Sequence, residues 1–222
     1  RMPAPGQRRA PRPRQLAGIE FEREAWDQGY RFVAGLDEVG RGALAGPVVA
    51  AAVVFDPSSI PDGLADSKTI PRSRREALSE SIARAAIGVS IAMVDATEID
   101  ATNILRATLV AMSRAVDALP VASDFLLVDG NTRIPTWTGQ QRTLIGGDAA
   151  SASIAAASIV AKVERDRLMA SYDEQWPEYG FSAHVGYGTA AHLAAIARVG
   201  PCPIHRRSFR GVLTTSLFTE IG

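Results

Sequence analysis

Gly35-Leu36-Asp37-Glu38-Val39-Gly40-Arg41-Gly42-Ala43-Leu44-Ala45-Gly46-Pro47 is the stretch on which the fold turns. Upstream, Tyr30–Leu36 is a short aromatic and β-branched run that reads as a strand ending at two acids and a glycine turn. Downstream, Pro47 opens the unbroken apolar run Val48–Phe55, closed by Asp56-Pro57, the pattern of a strand buried on both faces. The two strands are expected to pair as neighbours. Gly40-x-Gly42-x-x-Ala45 also matches the dinucleotide-binding fingerprint, but that fingerprint must open a helix whose N-terminus receives a pyrophosphate. Here a proline and a β-branched run follow, and Asp37 and Glu38 would repel the phosphates, so a nicotinamide- or flavin-dependent oxidoreductase is set aside. A phosphate-binding loop fails as well, because Gly35-x-x-x-x-Gly40 is followed by Arg41-Gly42 and not by lysine and a hydroxyl residue.

Further along, Pro71–Ala86 has proline at a helix start and apolar positions at helical spacing, and Gly88 releases the chain into a strand over Val89–Val94. Thr97–Leu119 reads as helical, ended by Pro120. Phe125–Val128 is an apolar strand that stops at Asp129-Gly130, and Arg142–Ile145 is another that stops at Gly146-Gly147-Asp148. Ser151–Tyr172 is alanine-rich and helix-favouring, and Ala190–Val199 and the C-terminal segment supply further helices. There is no internal repeat. Three strands, helix, two strands, then helices predict an α/β protein with a mixed sheet and helices on its faces.

With 222 residues and 46% hydrophobic content, the chain can bury one substantial core. Lys+Arg and Asp+Glu both total 24, but residues 1–18 hold Arg1, Arg8, Arg9, Arg12 and Arg14 with no acid. Removing those five leaves 19 basic against 24 acidic groups, a formal −5, so residues 19–222 form an acidic domain behind a basic arm. Pro3, Pro5, Pro11 and Pro13 and the lack of an apolar core in residues 1–18 predict a disordered arm and no secretory signal. The longest apolar runs, Val48–Phe55 and Ile154–Ala161, are too short to span a bilayer. Cys202 is the only cysteine, which excludes an intramolecular disulfide and suits a cytoplasmic protein.

Asp37, Glu38, Asp129 and Asp148 each stand at or just beyond the end of a predicted strand, where side chains from neighbouring strands converge at one edge of an α/β sheet. Like charges held close destabilise the fold unless a cation neutralises them, so such a cluster points to a metal. Oxygen-only ligands select magnesium or manganese over zinc, and His184, His192 and His205 are too dispersed for a zinc motif. Consecutive strand residues point to opposite faces, so Asp37 and Glu38 share a site only if their strand ends there. Acids serving merely as loop punctuation remain the alternative. Lys162 and Asp166, four apart on one helix face, suit an ion pair as well as a substrate role.

Gly35-Leu36-Asp37-Glu38-Val39-Gly40-Arg41-Gly42 with Leu44-Ala45-Gly46-Pro47-Val48 closely resembles the signature of the ribonuclease HII family. Further matches follow in family order: Asp66-Ser67-Lys68, Val128-Asp129-Gly130, Gly147-Asp148, Ala155–Val163 with Arg165-Asp166, Gly186-Tyr187-Gly188-Thr189 with His192, and Pro203-Ile204-His205-Arg206 with Ser208-Phe209. The resemblance spans about residues 31–210. It implies a ribonuclease H-like fold, a five-stranded mixed sheet flanked by helices, and an endonuclease acting on RNA/DNA hybrids and ribonucleotide-containing duplex DNA; a monomer is expected. It implies that Asp37, Glu38, Asp129 and Asp148 hold two divalent ions, Mg²⁺ or Mn²⁺. It also implies that Gly40-Arg41-Gly42 reads the ribose 2′-hydroxyl and that Tyr187 stacks on the sugar 3′ of the ribonucleotide, with a buried core tyrosine as the alternative. Lys68 is a phosphate-binding candidate, with a solvated loop charge as the alternative. A catalytically silent nucleic-acid-binding module on the same fold would have no reason to retain four mutually repelling carboxylates. One departure stands out: the family often has a lysine two residues before the fourth acid, and here that position is Gly146, so Asp148 is expected to lack a charge partner.

Overall fold

In the computed structural model, which describes residues 16–213, the apolar run Val48–Phe55 forms strand β2 with every residue buried. Helix α1 (Glu20–Asp27) precedes β1 (Val33–Val39), which pairs antiparallel with β2 from Ala34↔Val54 to Val39↔Val49. The expected pairing across the glycine turn is therefore present. Helix α2 (Arg72–Ala85) leads directly into β3 (Ala86–Val94), antiparallel to β2. Then come α3 (Ala96–Ala101), α4 (Ile104–Asp117), β4 (Phe125–Asp129), β5 (Gln140–Leu144), α5 (Ala152–Gln175), α6 (Phe181–His184) and α7 (Ala190–Val199). The sheet order is β3-β2-β1-β4-β5, with β4 parallel to both β1 and β5. This is the mixed five-stranded sheet flanked by helices that the sequence predicts.

Alternation along the strands distributes the core. Leu36, Val48, Ala50, Ala52 and Val54 pack with Ala107, Ala111, Met112 and Ala115 of α4 on one face. Val49, Ala51, Val53 and Phe55 pack with Ala152, Ala155, Ala156 and Ile159 of α5 on the other. The run of small residues lets α5 lie close to the sheet, and a Cβ added at Gly35 would fall 2.2 Å from the backbone carbon of Ser153. Ser151 caps α5 by accepting from the Ile154 N–H. A third cluster, with Leu44, Met169, Tyr179, Phe181, Ile196 and Cys202, joins the far end of α5 to α6 and α7.

Several predicted boundaries shift. β1 does not end at Leu36 but carries both acids inside it. Gly88 lies within β3, opposite Val54. The predicted helix 97–119 is broken at Thr102-Asn103, where the Asn103 side chain accepts from the Arg106 N–H and starts α4 afresh. Residues 200–213 hold turns and bridges instead of the predicted C-terminal helix, whose remainder lies outside the described residues. The basic arm likewise falls outside them up to residue 15, whereas Ala17 and Gly18 are tied to the body: the Ala17 N–H donates to Leu64 O (2.9 Å), and Gly18 bridges Ser151. Among the described residues no helix is long and apolar enough to cross a membrane.

Candidate active site

Parallel pairing of β1 with β4 stops at Leu36↔Val128, while β1 continues to Val39 along β2. From Asp37 onward the β4 side of β1 is therefore open, and Gly130, at φ +94°, turns the chain away just after Asp129. The geometric difficulty of two consecutive acids is met by the end of this pairing, not by the end of the strand. Asp37 is buried on the α5 side, where the Ser158 hydroxyl hydrogen-bonds its carboxylate. Ser158 in turn meets the Ser67 hydroxyl at 2.9 Å. Glu38 lies on the α4 side, in a shallow depression with Leu105, Thr108, Met112, Arg41 and Asp129.

The electrostatics show how near the four acids stand. Burial first, then repulsion from Glu38 and Asp129, drives the Asp37 carboxyl well above the usual carboxylate range. Burial raises Glu38 too; Arg41 opposes this and Asp129 adds to it. Asp148, in a 3₁₀ turn over Gly147–Ala149, is raised by burial and by the charges of Asp66 and Asp129, with Lys68 opposing. Asp129 thus repels each of the other three acids. Each carboxylate meanwhile has its own hydrogen bond: Asp37 Oδ1 accepts from the Glu38 N–H (2.7 Å), and Asp129 Oδ1 from the Gly147 N–H (2.7 Å). Glu38 Oε1 faces Arg41 Nη1 (3.3 Å), and Asp148 Oδ2 faces Lys68 Nζ (3.5 Å). Among the described residues no three His, Cys, Asp or Glu side chains are gathered into a ready metal cage. The donor chemistry fits a hard divalent cation, which would neutralise acids that burial and repulsion keep from ionising freely.

The missing charge partner of Asp148 is supplied from a distant loop by Lys68. Burial alone would lower the Lys68 ammonium, but Asp148, Asp66 and Asp37 together outweigh this and raise it. Gly146, with φ +70°, occupies a left-handed position that disfavours a lysine. Asp66 joins the rim as a fifth carboxylate. Sequence pattern alone does not single it out, because it stands in a loop and not at the end of an apolar run. Lys162 and Asp166 do form an ion pair, shared with Arg75 (3.4 Å to Asp166).

Tyr187 is not a core residue: it is 39% exposed, and a Cβ on Gly42 would lie 3.8 Å from its ring. The glycine loop is held from beneath by two fully buried arginines. Arg165 donates to the carbonyls of Pro47 (3.0 Å), Ala45 (3.1 Å) and Val185 (2.8 Å). Arg206 donates to those of Gly46 (3.0 Å) and Arg41 (2.9 Å). Burial, then its neighbour Arg165, pulls the Arg206 guanidinium down to about 9. The sequence motif contained both arginines without revealing this work, because their acceptors are backbone carbonyls, which no side-chain pattern announces. The three histidines, far apart in sequence, also converge, with the His184 and His192 rings stacked 4.3 Å apart.

A mixed sheet in the order β3-β2-β1-β4-β5, flanked by helices, defines a ribonuclease H-like fold. The family model for ribonuclease HII matches residues 34–212. The chain is 57% identical over 197 residues to ribonuclease HII of Syntrophotalea carbinolica, covering 89% of this chain and 94% of that one. It is 53% identical over 198 residues to that of Geobacter sulfurreducens, covering 89% and 91%. Among solved structures it resembles ribonuclease H2 from Pyrococcus horikoshii OT3 with a TM-score of 0.70 at 25% identity, covering 81% of this chain and 94% of that one. The ribonuclease HII of a PCNA complex from Archaeoglobus fulgidus gives a TM-score of 0.69 at 25% identity, covering 81% and 95%. The chain belongs to the ribonuclease HII family. It is an endoribonuclease of a divalent-metal-dependent family that acts on RNA/DNA substrates.

Proposed function

We propose that this enzyme hydrolyses the RNA strand of RNA/DNA hybrids and cuts on the 5′ side of a single ribonucleotide in duplex DNA, the incision with which removal of a misplaced ribonucleotide begins. The observation that carries the reading is the meeting of the carboxylate edge with a glycine loop and an exposed tyrosine. Asp37, Glu38, Asp129 and Asp148 are the ligands in this reading, for two Mg²⁺ or Mn²⁺ ions. Such ions, when bound, neutralise the acids, promote ionisation of the attacking water and stabilise the leaving 3′-oxygen.

The protein's own groups do the rest. Among the described residues the N–H groups of Arg41 and Gly42 have no hydrogen-bond partner, while the loop carbonyls of Arg41, Ala45 and Gly46 accept from Arg206 and Arg165, so these N–H groups can meet a ribose 2′-hydroxyl. Tyr187 presents a flat ring to the next sugar. Lys68, beside Asp148 with its side chain 78% exposed, balances charge at the acids and can reach a phosphate. The 2′-hydroxyl serves recognition and is not the nucleophile, so the products carry a 3′-hydroxyl and a 5′-phosphate.

The test is cleavage of a duplex bearing one ribonucleotide, set beside an all-DNA duplex and a continuous hybrid, with product ends mapped. One cut 5′ of the ribonucleotide is expected, with the all-DNA duplex intact. A 2′,3′-cyclic phosphate would overturn the mechanism, and cutting of the hybrid alone would overturn the single-ribonucleotide reading.

A further inference from the structure

Behind Tyr187 lies a chain of hydrogen bonds in which each ring fixes the proton of the next. The Cys202 N–H donates to His205 Nδ1 (3.0 Å), so a neutral His205 carries its proton on Nε2. His205 Nε2 faces His192 Nε2 at 3.0 Å, so His192 accepts there and carries its own proton on Nδ1. His192 Nδ1 lies 2.9 Å from the Tyr187 carbonyl oxygen, to which it donates. Both rings are buried, at 0% and 2% exposure. Burial, with the neighbouring imidazoles, lowers His205 to about 4 and lowers His192 as well, which keeps both neutral. The third histidine holds the other end of the turn: the His184 backbone carbonyl accepts from the Tyr187 N–H (2.9 Å), and His184 Nδ1 accepts from the Gly186 N–H (3.2 Å).

This turn would not hold its shape unaided. Val185, a β-branched residue, sits at φ +44°, and Gly186 at φ +83°. Such backbone persists only where its surroundings over-determine it. Gly186 O accepts from the Leu44 N–H (2.8 Å), and a Cβ there would fall 2.4 Å from the Ala45 carbonyl oxygen, so the turn is also locked onto the glycine loop. We infer that His192 and His205 are positioning residues: their relay holds the Tyr187 backbone so that its ring stands beside Gly42, and thereby sets selectivity for a deoxyribose following the ribonucleotide. This rests on the reading of Tyr187 given above. The histidines touch no substrate.

The experiment measures kcat/KM on the single-ribonucleotide duplex and on a continuous RNA/DNA hybrid, and takes their ratio. Tyr187→Ala is expected to lower the ratio about tenfold, the scale of a misplaced positioning contact. His192→Phe, which keeps a flat ring but has no donor, should lower it comparably. His192→Asn, whose amide can replace the Nδ1 donor, should restore most of it. The double variant Tyr187→Ala/His192→Phe should fall no further than Tyr187→Ala alone, because both remove one interaction. Circular dichroism and thermal melting report that each variant is folded. A normal ratio in His192→Phe with a lowered ratio in Tyr187→Ala overturns the inference and leaves the Tyr187 reading intact. An unchanged ratio in Tyr187→Ala overturns both. A second measurement needs no variant: long-range ¹H–¹⁵N spectra of the wild-type histidines should show Nδ1–H at His192 and Nε2–H at His205. Nε2–H at His192 would break the relay and overturn the inference even if the variants lost selectivity.

Discussion

Asp37 illustrates how one residue is chosen against its own stability. At 5% exposure and with Glu38 and Asp129 repelling it, the Asp37 carboxylate is disfavoured relative to its protonated form, a bias that a bound cation would oppose. Asp37→Asn and Asp129→Asn should therefore abolish cleavage while leaving apo stability level or higher, read by hybrid cleavage at matched metal concentration and by thermal melting in chelator. Asp148→Asn should cut turnover by orders of magnitude with partial rescue by manganese, whereas Asp166→Asn, which breaks an ion pair with Lys162 and Arg75, should do much less to turnover. A reversal of those two effects would reassign the fourth acid. These acids were legible because the hydrophobic pattern alone places each at or just beyond the end of an apolar run, although β1 in fact continues through Asp37 and Glu38. Lys68 was legible as a loop cation but not as the partner of Asp148, since its place beside that acid follows from how the 3₁₀ turn at Ser67–Thr69 packs on α5.

At the level of elements, periodicity located all five strands and most helices, and the errors have local causes. Thr97–Leu119 reads as one helix because its apolar spacing continues through the break, yet Asn103 can satisfy an N-terminal N–H and so begins a new helix. The overrun of β1 past β4 was hidden because pairing length is a property of two strands, and neither alone encodes it. What the element scale does predict is the fate of Gly35. Its φ is ordinary, so conformational freedom is not the issue; proximity is, since α5 crosses β1 with backbone atoms of Ser153 and Ile154 2.2 and 2.4 Å from where a Cβ would sit. Gly35→Ala should push α5 off the strand that carries Asp37, costing about 1–3 kcal/mol. It should lower activity through displaced acids, even though residue 35 touches no substrate. Chemical denaturation measures the first and cleavage the second; a variant as stable as wild type would show that the helix yields easily.

The molecule as a whole sets a sheet-borne acidic edge against a C-terminal lobe in which α6, α7 and the 200–213 segment carry no acid of the site but hold Tyr187 and, through Arg206, the glycine loop. That division was not legible in sequence: the histidines look dispersed, and only folding brings them to one cluster. The two parts carry opposite pH dependences. His205, depressed to about 4, contributes stability that is present above its unfolded value of 6.5 and is lost as pH falls toward 4. The raised carboxyls of Asp37, Glu38 and Asp148 act the other way: the apo protein holds protons that the unfolded chain has released, so their contribution is greatest at low pH and is lost as pH rises through the raised values. Divalent cation should cancel only the second effect, because the histidines lie away from the acids. The difference in melting temperature between protein in excess Mn²⁺ and protein in chelator therefore isolates the site. It should grow as pH rises from 5 to 8, reaching roughly 5–10 °C, which corresponds to about 2.7 kcal/mol at a hundredfold excess of cation over its dissociation constant. In the Asp37→Asn/Asp129→Asn variant the difference should shrink to near zero at every pH. A full metal-induced rise in that variant would mean that the cation stabilises the protein somewhere other than the carboxylate edge.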